Sequence, residues 1–457
     1  MDRLTTQDAS FLYVENEFNH MSIAALAIFD GPPPGQDEIE AMVEPKLDLV
    51  PRYRQRIRFV PFDAGRPVWC DDPHFSLRYH VRHTALPSPG SDEQLQTLVG
   101  RVMSQQLDRT KPLWELWVVE GLEDDRWAML IKMHHCLSDG VAATDLMTVL
   151  LDESPDAEPR EANPWTPERT PSPLQLMTDA VIERLTSPRE VVETVLHALN
   201  APGRTAKKLG DLADGLVTFR RFMNLDLESS LNGPIGPHRS WRWAETTLAD
   251  VKKIRSAHGG TVNDVVLAVI TRGFRDLLLS RDEPVRDLVV RTLVPVSVRG
   301  DDEHDVQNNR VSAMFAELPV GIGDPVERLH AIGEQMDELK THHQSEAGET
   351  LMALSGLAPP VMFALAARTF ADVPQSYVQT VTTNVPGPRQ RLYAAGRPMR
   401  SGYIYVPLAS SVRLGVAIFS YAGDLAFCIT GDADHSPDID VLSRGIEHGM
   451  AELLAAS

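Results

Sequence analysis

The sequence predicts an α/β protein in which mixed sheets flanked by helices are arranged in two domains. Three observations carry that expectation. The chain has 457 residues, more than one ordinary hydrophobic core takes up. Strand-like apolar runs alternate with helix-spaced amphipathic runs along its length, and hairpin signals lie among them. Pro155, Pro159, Pro164, Pro167, Pro171 and Pro173 forbid regular structure, so 154–173 reads as a linker between domains at 1–153 and 174–457.

Each element has a local signature. Ser10-Phe11-Leu12-Tyr13 opens a short helix or turn. Met21 to Phe29 reads as a strand, stopped by Gly31-Pro32-Pro33-Pro34. Ile39 to Leu49 has helical apolar spacing. Arg52, Arg54, Arg56 and Arg58 alternate with Tyr53, Ile57 and Phe59 as on a strand with one basic face, either phosphate-directed or simply solvated. Gln94 to Leu107 repeats Leu95, Leu98, Val99 and Val102 at helical intervals. Lys111-Pro112-Leu113-Trp114 leads into a strand ending at Val119. After the polar turn Glu123-Asp124-Asp125-Arg126, Trp127 to Lys132 returns as its hairpin partner. Trp114 and Trp117 are expected in the core.

Beyond the linker, Leu174–Leu199 and Leu209–Met223 have helical spacing. Core packing explains the apolar side of the second; contact with a lipid surface is the alternative. Trp241–Leu248 is a short strand and Asp250–His258 a helix ending at Gly259-Gly260. Thr261 with Asp264 resembles a capping box, a complete structural reason for Asp264 that leaves Asn263 unexplained. Val265–Leu279 continues that helix. Leu288–Val298 and Asn308–Leu318 are strands, and Asp324–Thr341 is an amphipathic helix. Leu351–Ala371, broken by Pro359-Pro360, is a buried helix or the wall of a tunnel. Strands follow at Tyr377–Thr383, Ser401–Val406, Val412–Tyr421 and Leu425–Asp432, and a helix at Asp438–Leu454 closes the chain.

Composition removes several classes of function. A hydrophobic fraction of 43% with 24% charged residues is that of a soluble globular protein. The net charge of −20 argues against nucleic-acid binding and predicts average repulsion from anionic membranes. Cys70, Cys136 and Cys428 are too few and too scattered for a disulfide framework or a zinc cluster, and are expected as reduced thiols. No run of about 18 apolar residues and no signal-peptide pattern is present, so a cytoplasmic location is expected.

The chemistry concentrates in Met133-His134-His135-Cys136-Leu137-Ser138-Asp139-Gly140, between the strand ending at Lys132 and a helix read from Val141 to Leu151. Such a junction aims side chains from a rigid strand and leaves them reachable. Alternation along a strand puts His134 with Lys132 on one side and His135 with Met133 on the other, so one ring serves as base and the other supports it. Metal binding fits poorly, because strand neighbours point apart and no helical His-x-x-x-His exists. A Cys136 nucleophile meets the same objection. A purely structural pair is the remaining alternative, weakened by Asp139-Gly140 close by.

His134-His135-x-x-x-Asp139-Gly140 resembles the HHxxxDG motif of CoA-dependent acyltransferases, which include chloramphenicol acetyltransferase and condensation domains. Pro112-Leu113-Trp114, Asn263-Asp264, Pro295-Val296-Ser297-Val298-Arg299 and Asn384-Val385-Pro386-Gly387-Pro388, in this order, narrow the resemblance to the bacterial wax ester synthase/diacylglycerol acyltransferase family. Asp8-Ala9-Ser10-Phe11 and Ser420-Tyr421-Ala422-Gly423 also look like that family, while Cys136 and Ser138 fill variable positions.

The resemblance implies two chloramphenicol-acetyltransferase-like domains with an active-site tunnel at their interface. It implies transfer of an acyl group from long-chain acyl-CoA to the hydroxyl of diacylglycerol, a fatty alcohol or both, with no cofactor and no metal. His135 is then the general base and His134 orients the loop or lines the acceptor side. Asp139 pairs with Arg299 in a structural role, and Gly140 lets the chain turn into its helix. Asn263, near the domain junction, and Asn384, at the start of a crossover loop, are candidate substrate contacts. Lys252, Lys253, Arg255 and the arginines of 52–58 are candidates for the CoA phosphates. A peripheral membrane or lipid-body surface is the expected meeting place with substrate. The competing expectations are a non-catalytic acyl-lipid-binding protein, and a condensation-type enzyme acting on an amine or a carrier-bound substrate.

Overall fold

The computed structural model describes residues 2–137, 143–158, 160–186, 229–297, 311–341, 377–408 and 411–457. The stretches expected to be helical at 209–223 and apolar at 351–371 lie outside these, as does 187–199.

In the first half the helices are α1 (Thr6–Val14), α2 (Gln36–Val43), α3 (Leu77–His80), α4 (Asp92–Met103), α5 (Ala143–Leu150) and α6 (Pro173–Thr186). The strands there are β1 (Ser22–Asp30), β2 (Gln55–Arg58), β3 (Val68–Asp71), β4 (Val81–Ala85), β5 (Trp114–Leu122) and β6 (Arg126–His134). The second half carries α7 (Leu248–His258), α8 (Val262–Ser280), α9 (Pro325–Thr341) and α10 (Ile439–Ala455). Its strands are β7 (Arg239–Thr247), β8 (Val290–Ser297), β9 (Val311–Leu318), β10 (Thr380–Pro386), β11 (Tyr393–Ala394), β12 (Arg397–Tyr405), β13 (Leu414–Tyr421) and β14 (Asp424–Asp432).

Twelve of the strands form two six-stranded mixed sheets with flanking helices, in the orders β11-β12-β1-β6-β5-β4 and β7-β14-β13-β10-β8-β9, and β2 and β3 pair antiparallel as a separate two-stranded sheet. The α/β reading with mixed sheets therefore holds. β4 runs parallel to β5, and β10 runs parallel to β8 and β13. β5 and β6 pair antiparallel with Trp114 opposite Met133, so the Pro-Leu-Trp stretch lies beside the histidine strand as expected. All nine residues of β6 except Arg126 are buried, the signature of a central strand covered on both faces.

β11 and β12 come from the second half of the chain yet complete the first sheet, with β12 lying along β1 from Ala24–Tyr405 to Phe29–Met399. On its other side β12 meets the second sheet. The Tyr403 ring stacks on Trp243 with centroids 4.3 Å apart, and the Tyr403 hydroxyl donates to Glu245 at 2.6 Å. Trp241, Trp243, Phe419 and Cys428 thus belong to the same apolar cluster as β1 and β6. Ser104 Oγ accepts from the Arg239 backbone N–H at 2.8 Å, tying the end of α4 to β7.

Two local expectations need correction. The helix read over 39–49 ends at Val43, and Glu44–Leu49 continues as a 3-10 turn, because Pro45 lacks the N–H that the α ladder needs. The strand read over 52–59 starts only at Gln55; Pro51–Arg54 is another 3-10 turn, whose first position suits the fixed φ of proline. Strands β3 and β4, too short to show a clear period, were not anticipated. The capping box at Thr261 and Asp264 forms as expected, with Asp264 N–H donating to Thr261 Oγ1 at 3.2 Å and Thr261 N–H to Asp264 Oδ2 at 2.7 Å.

The second core is centred on α8 against α10. They meet at glycines: a Cβ on Gly273 would lie 2.8 Å from Leu442 Cδ1 and 2.9 Å from the Leu442 carbonyl oxygen. Gly273→Val is therefore expected to destabilise the protein by about 1–3 kcal/mol through overpacking, measured as a lower denaturation midpoint with an unchanged slope.

Candidate active site

β6 ends at His134, whose backbone N–H donates to the Leu113 carbonyl at 2.9 Å. His135 already lies outside the strand. It opens a 3-10 turn, His135–Leu137, and its own N–H donates to the Met21 carbonyl at 2.7 Å. Strand alternation therefore stops one residue earlier than expected, because the backbone leaves the sheet at His135. The expected placing of the two rings on opposite faces therefore does not apply, and side chains from α1 and its end receive both rings.

Phe11 and Glu15 are four residues apart, one within α1 and the other one residue past its end, so they project from the same side. Phe11 stacks on the His135 ring with centroids 4.0 Å apart and planes at 23°. The Glu15 carboxylate lies 3.6 Å from His134 Nε2 and also takes the Arg109 guanidinium, with Nε at 3.1 Å. His134 is 1% exposed, whereas His135 is only partly covered. The reachable imidazole is His135.

Electrostatics separate the groups further. Burial pushes the His135 pKa down from 6.5 to about 4, and the neighbouring His134 adds to this. Burial works to raise the Glu15 pKa, but His134 and Arg109 outweigh it and hold that carboxyl at about 2. His135 Nδ1 is buried with no hydrogen-bond partner among the described residues. The Cys136 thiol is completely buried and its pKa is raised well above the usual value by that burial, so a thiolate nucleophile there is disfavoured. All three cysteines are free and buried. Among the described residues no group of three or more His, Cys, Asp or Glu side chains is placed to hold a metal ion.

The other candidates fall in different places. Asp139, Gly140 and Arg299 lie outside the described residues. Asn263 is in the first turn of α8, beside a cavity of about 380 Å³ lined by His258, Asp264, His330 and Asp337 among others, all from α7, α8, α9 and the loop between the first two. Asn384 is an exposed residue of β10, opposite Ile418 of β13, and the chain beyond it crosses to β11 in the first sheet. Of the basic residues, Arg52 pairs with Asp2 at 3.4 Å, Arg54 with Asp48 at 2.6 Å and Arg56 with Asp72 at 3.9 Å, so carboxylates of the chain itself offset their charge. Lys252, Lys253 and Arg255 are exposed on α7. Sequence reasoning missed Glu15 and Arg109, and it noted Phe11 only within the family-like stretch Asp8-Ala9-Ser10-Phe11, not as a neighbour of His135. The spacing of Phe11 and Glu15 was a signal for a shared helix face, but nothing local ties residue 109 to residue 15.

Residues 4–266 match the wax ester synthase/diacylglycerol acyltransferase catalytic domain, and residues 307–454 match the C-terminal domain of the same family. The chain belongs to this family. It is 40% identical over 462 aligned positions to the probable diacylglycerol O-acyltransferase tgs1 of Mycobacterium tuberculosis strain H37Rv, covering 100% of this chain and 96% of that one. A putative diacylglycerol O-acyltransferase of M. tuberculosis strain CDC 1551, MT3481, is 30% identical, with 100% and 92% covered. The solved wax ester synthase/diacylglycerol acyltransferase from Marinobacter aquaeolei VT8 superposes with a TM-score of 0.69 at 25% identity, covering 99% of this chain and 98% of that one. The trichothecene 15-O-acetyltransferase TRI3 from Fusarium sporotrichioides shares the fold, with a TM-score of 0.61 at 13% identity and 99% and 94% covered. Membership makes the chain an acyltransferase, and the family named from its motifs is the one it belongs to.

Proposed function

We propose that the protein transfers a long-chain acyl group from acyl-CoA to the hydroxyl of diacylglycerol, a fatty alcohol or both, with His135 Nε2 as general base. The observation that carries the reading is one partly exposed imidazole, neutral through burial and braced by Phe11, in a chain whose full-length relatives are named diacylglycerol O-acyltransferases. In this mechanism His135 takes the hydroxyl proton as the alkoxide oxygen attacks the thioester carbonyl. A tetrahedral oxyanion forms and collapses, the carbon–sulfur bond breaks, and the imidazolium returns its proton to the CoA thiolate. The ester product and free CoA account for every atom. Acyl-CoA is a substrate here, and no step uses a metal or a cofactor. His134 supports the turn, the structural pairing of Asp139 with Arg299 is carried over from the family resemblance alone, and Asn263 and Asn384 are candidate substrate contacts. The acyl chain is assigned to a tunnel between the two halves.

The experiment is a product profile. Purified protein receives radiolabelled palmitoyl-CoA with diacylglycerol and hexadecanol together, and the lipids are separated. Labelled triacylglycerol, wax ester or both is expected. Acyl-CoA binding with no CoA release on either alcohol, or release only on amines, would sink this reading.

A peripheral lipid surface is the proposed place of contact with the acceptor. No helix among the described residues is long and apolar enough to cross a membrane. Phe62, 85% exposed, sits on a turn that touches α6, where Leu174, Val181 and Ile182 are 74%, 53% and 49% exposed. Apolar side chains gathered on adjoining elements suit shallow insertion, a mode that overall negative charge does not prevent. Co-sedimentation with neutral phosphatidylcholine vesicles at moderate salt is expected for the native chain and reduced for Phe62→Ser with Leu174→Ser. Equal recovery of both in the vesicle-free fraction would count against it.

A further inference from the structure

We propose that Glu15 and Arg109 are a positioning pair that fixes the tautomer of His134 and, through it, the turn that carries His135. The inference rests on reading His135 as the base. It begins with a carboxylate in an unusual place: the Glu15 side chain is only 1% exposed. A buried carboxylate persists only where its partners compensate for lost hydration. Here the partners are of two kinds. On one side stands Arg109, which offers Nε at 3.1 Å and Nη2, and whose Nη2 also donates to the Leu12 carbonyl at 3.2 Å. On the other side stands His134 Nε2, at 3.6 Å.

The far nitrogen of that ring gives the arrangement its meaning. His134 Nδ1 accepts the backbone N–H of Cys136 at 3.2 Å. A nitrogen that accepts carries no proton, so the ring proton belongs on Nε2, facing Glu15. The carboxylate favours this tautomer and disfavours the other. In the Nδ1–H form, two N–H groups would meet at Cys136 and the turn would open just where His135 sits. The remaining backbone anchors flank the same point: His134 N–H to Leu113 O at 2.9 Å, and His135 N–H to Met21 O at 2.7 Å. Arg109, Glu15, His134 and the Cys136 amide therefore form one chain of contacts ending beside the base.

Nearby charges do not replace Glu15. Lys132, on the same strand, directs its ammonium to the Val102 carbonyl at 2.9 Å and to that of Gln105. His20 Nε2 lies 3.1 Å from the Glu17 carbonyl. Glu15 and Arg109 are thus positioning residues, because their effect on the reaction passes through His134.

Since removing half of a buried ion pair can prevent folding, the first test uses the native sequence. In protein labelled with ¹⁵N-histidine, long-range ¹H–¹⁵N ring correlations distinguish the tautomers, with His134 assigned by the signal missing from His134→Gln. Nε2–H at His134 is expected; Nδ1–H would overturn the proposal whatever the activity. The second test is kinetic. Glu15→Gln is expected to lower kcat by about 100-fold with KM for acyl-CoA within about twofold, the pattern of a misplaced base with intact substrate binding. Glu15→Gln combined with His134→Gln should be no slower than the worse single variant, since both act on one element. Independent, multiplying losses, or a kcat for Glu15→Gln equal to the native value, would also overturn it. His135→Ala is the separating control: full activity there removes the base but leaves the His134 tautomer result standing.

Discussion

Replacing His135 by alanine is expected to lower kcat by about 10²–10⁴-fold, the range that a general base contributes. The fold should survive, because the ring is partly exposed and lies in a turn beyond the end of β6. The measurement is CoA release from palmitoyl-CoA with a saturating alcohol, alongside circular dichroism of both proteins. His134→Ala should behave differently. That ring is buried against Glu15 and accepts the Cys136 amide, so its loss should lower thermal stability as well as kcat. Equal turnover by native protein and His135→Ala would remove His135 from the mechanism.

The second large effect is a displaced response to acid. An ordinary histidine base would lose activity as pH falls through about 6.5. Burial brings the His135 pKa to about 4, so the acid limb of kcat/KM should lie near that value. Stability follows a different course in the same range. Between 6.5 and 4 the unfolded chain takes up a proton at residue 135 and the folded chain does not, so stability falls as pH falls across that window, by about 3 kcal/mol in all. Glu15 acts lower down. Its folded pKa is depressed to about 2, so the stability it contributes is present above 4.5 and is lost as pH falls from 4.5 toward 2. Chemical denaturation at pH 7, 5.5 and 4.5 should show declining stability while activity of the still-folded enzyme stays flat. An acid limb at 6.5 or above would contradict the burial of this ring.

A pKa near 4 also bears on how the base works. A weakly basic imidazole is fully available to accept a proton but holds it poorly. In the mechanism proposed above, the oxyanion that develops beside it would supply the missing stabilisation, since a nearby negative charge favours imidazolium. On that proposal, proton transfer would be drawn forward by the same bond formation that it assists.

The fold was legible in the sequence where apolar periodicity runs long. The hairpin of β5 and β6, the capped start of α8 and the strands from 414 to 432 follow from local pattern. The short pieces were not legible: β3 and β4, of four and five residues, show too few periods, and prolines at 45 and 51 turn helix or strand patterns into 3-10 geometry. The histidine stretch stood out through its residues and its place at a strand end. Its supporting side chains did not, because Glu15 precedes it by 119 positions and Arg109 by 25, separations that only the packed chain brings together.

The passage of residues 393–405 into the first sheet limits how this molecule can be taken apart. β1 lies between β12 and β6, and its wholly apolar interior residues have neighbours on both edges. A fragment ending in the proline-rich stretch would present that strand as a bare, sticky margin, prone to self-association. Cutting the backbone there in the intact protein, by contrast, should leave both pieces interlocked, since the borrowed hairpin stays threaded along its host.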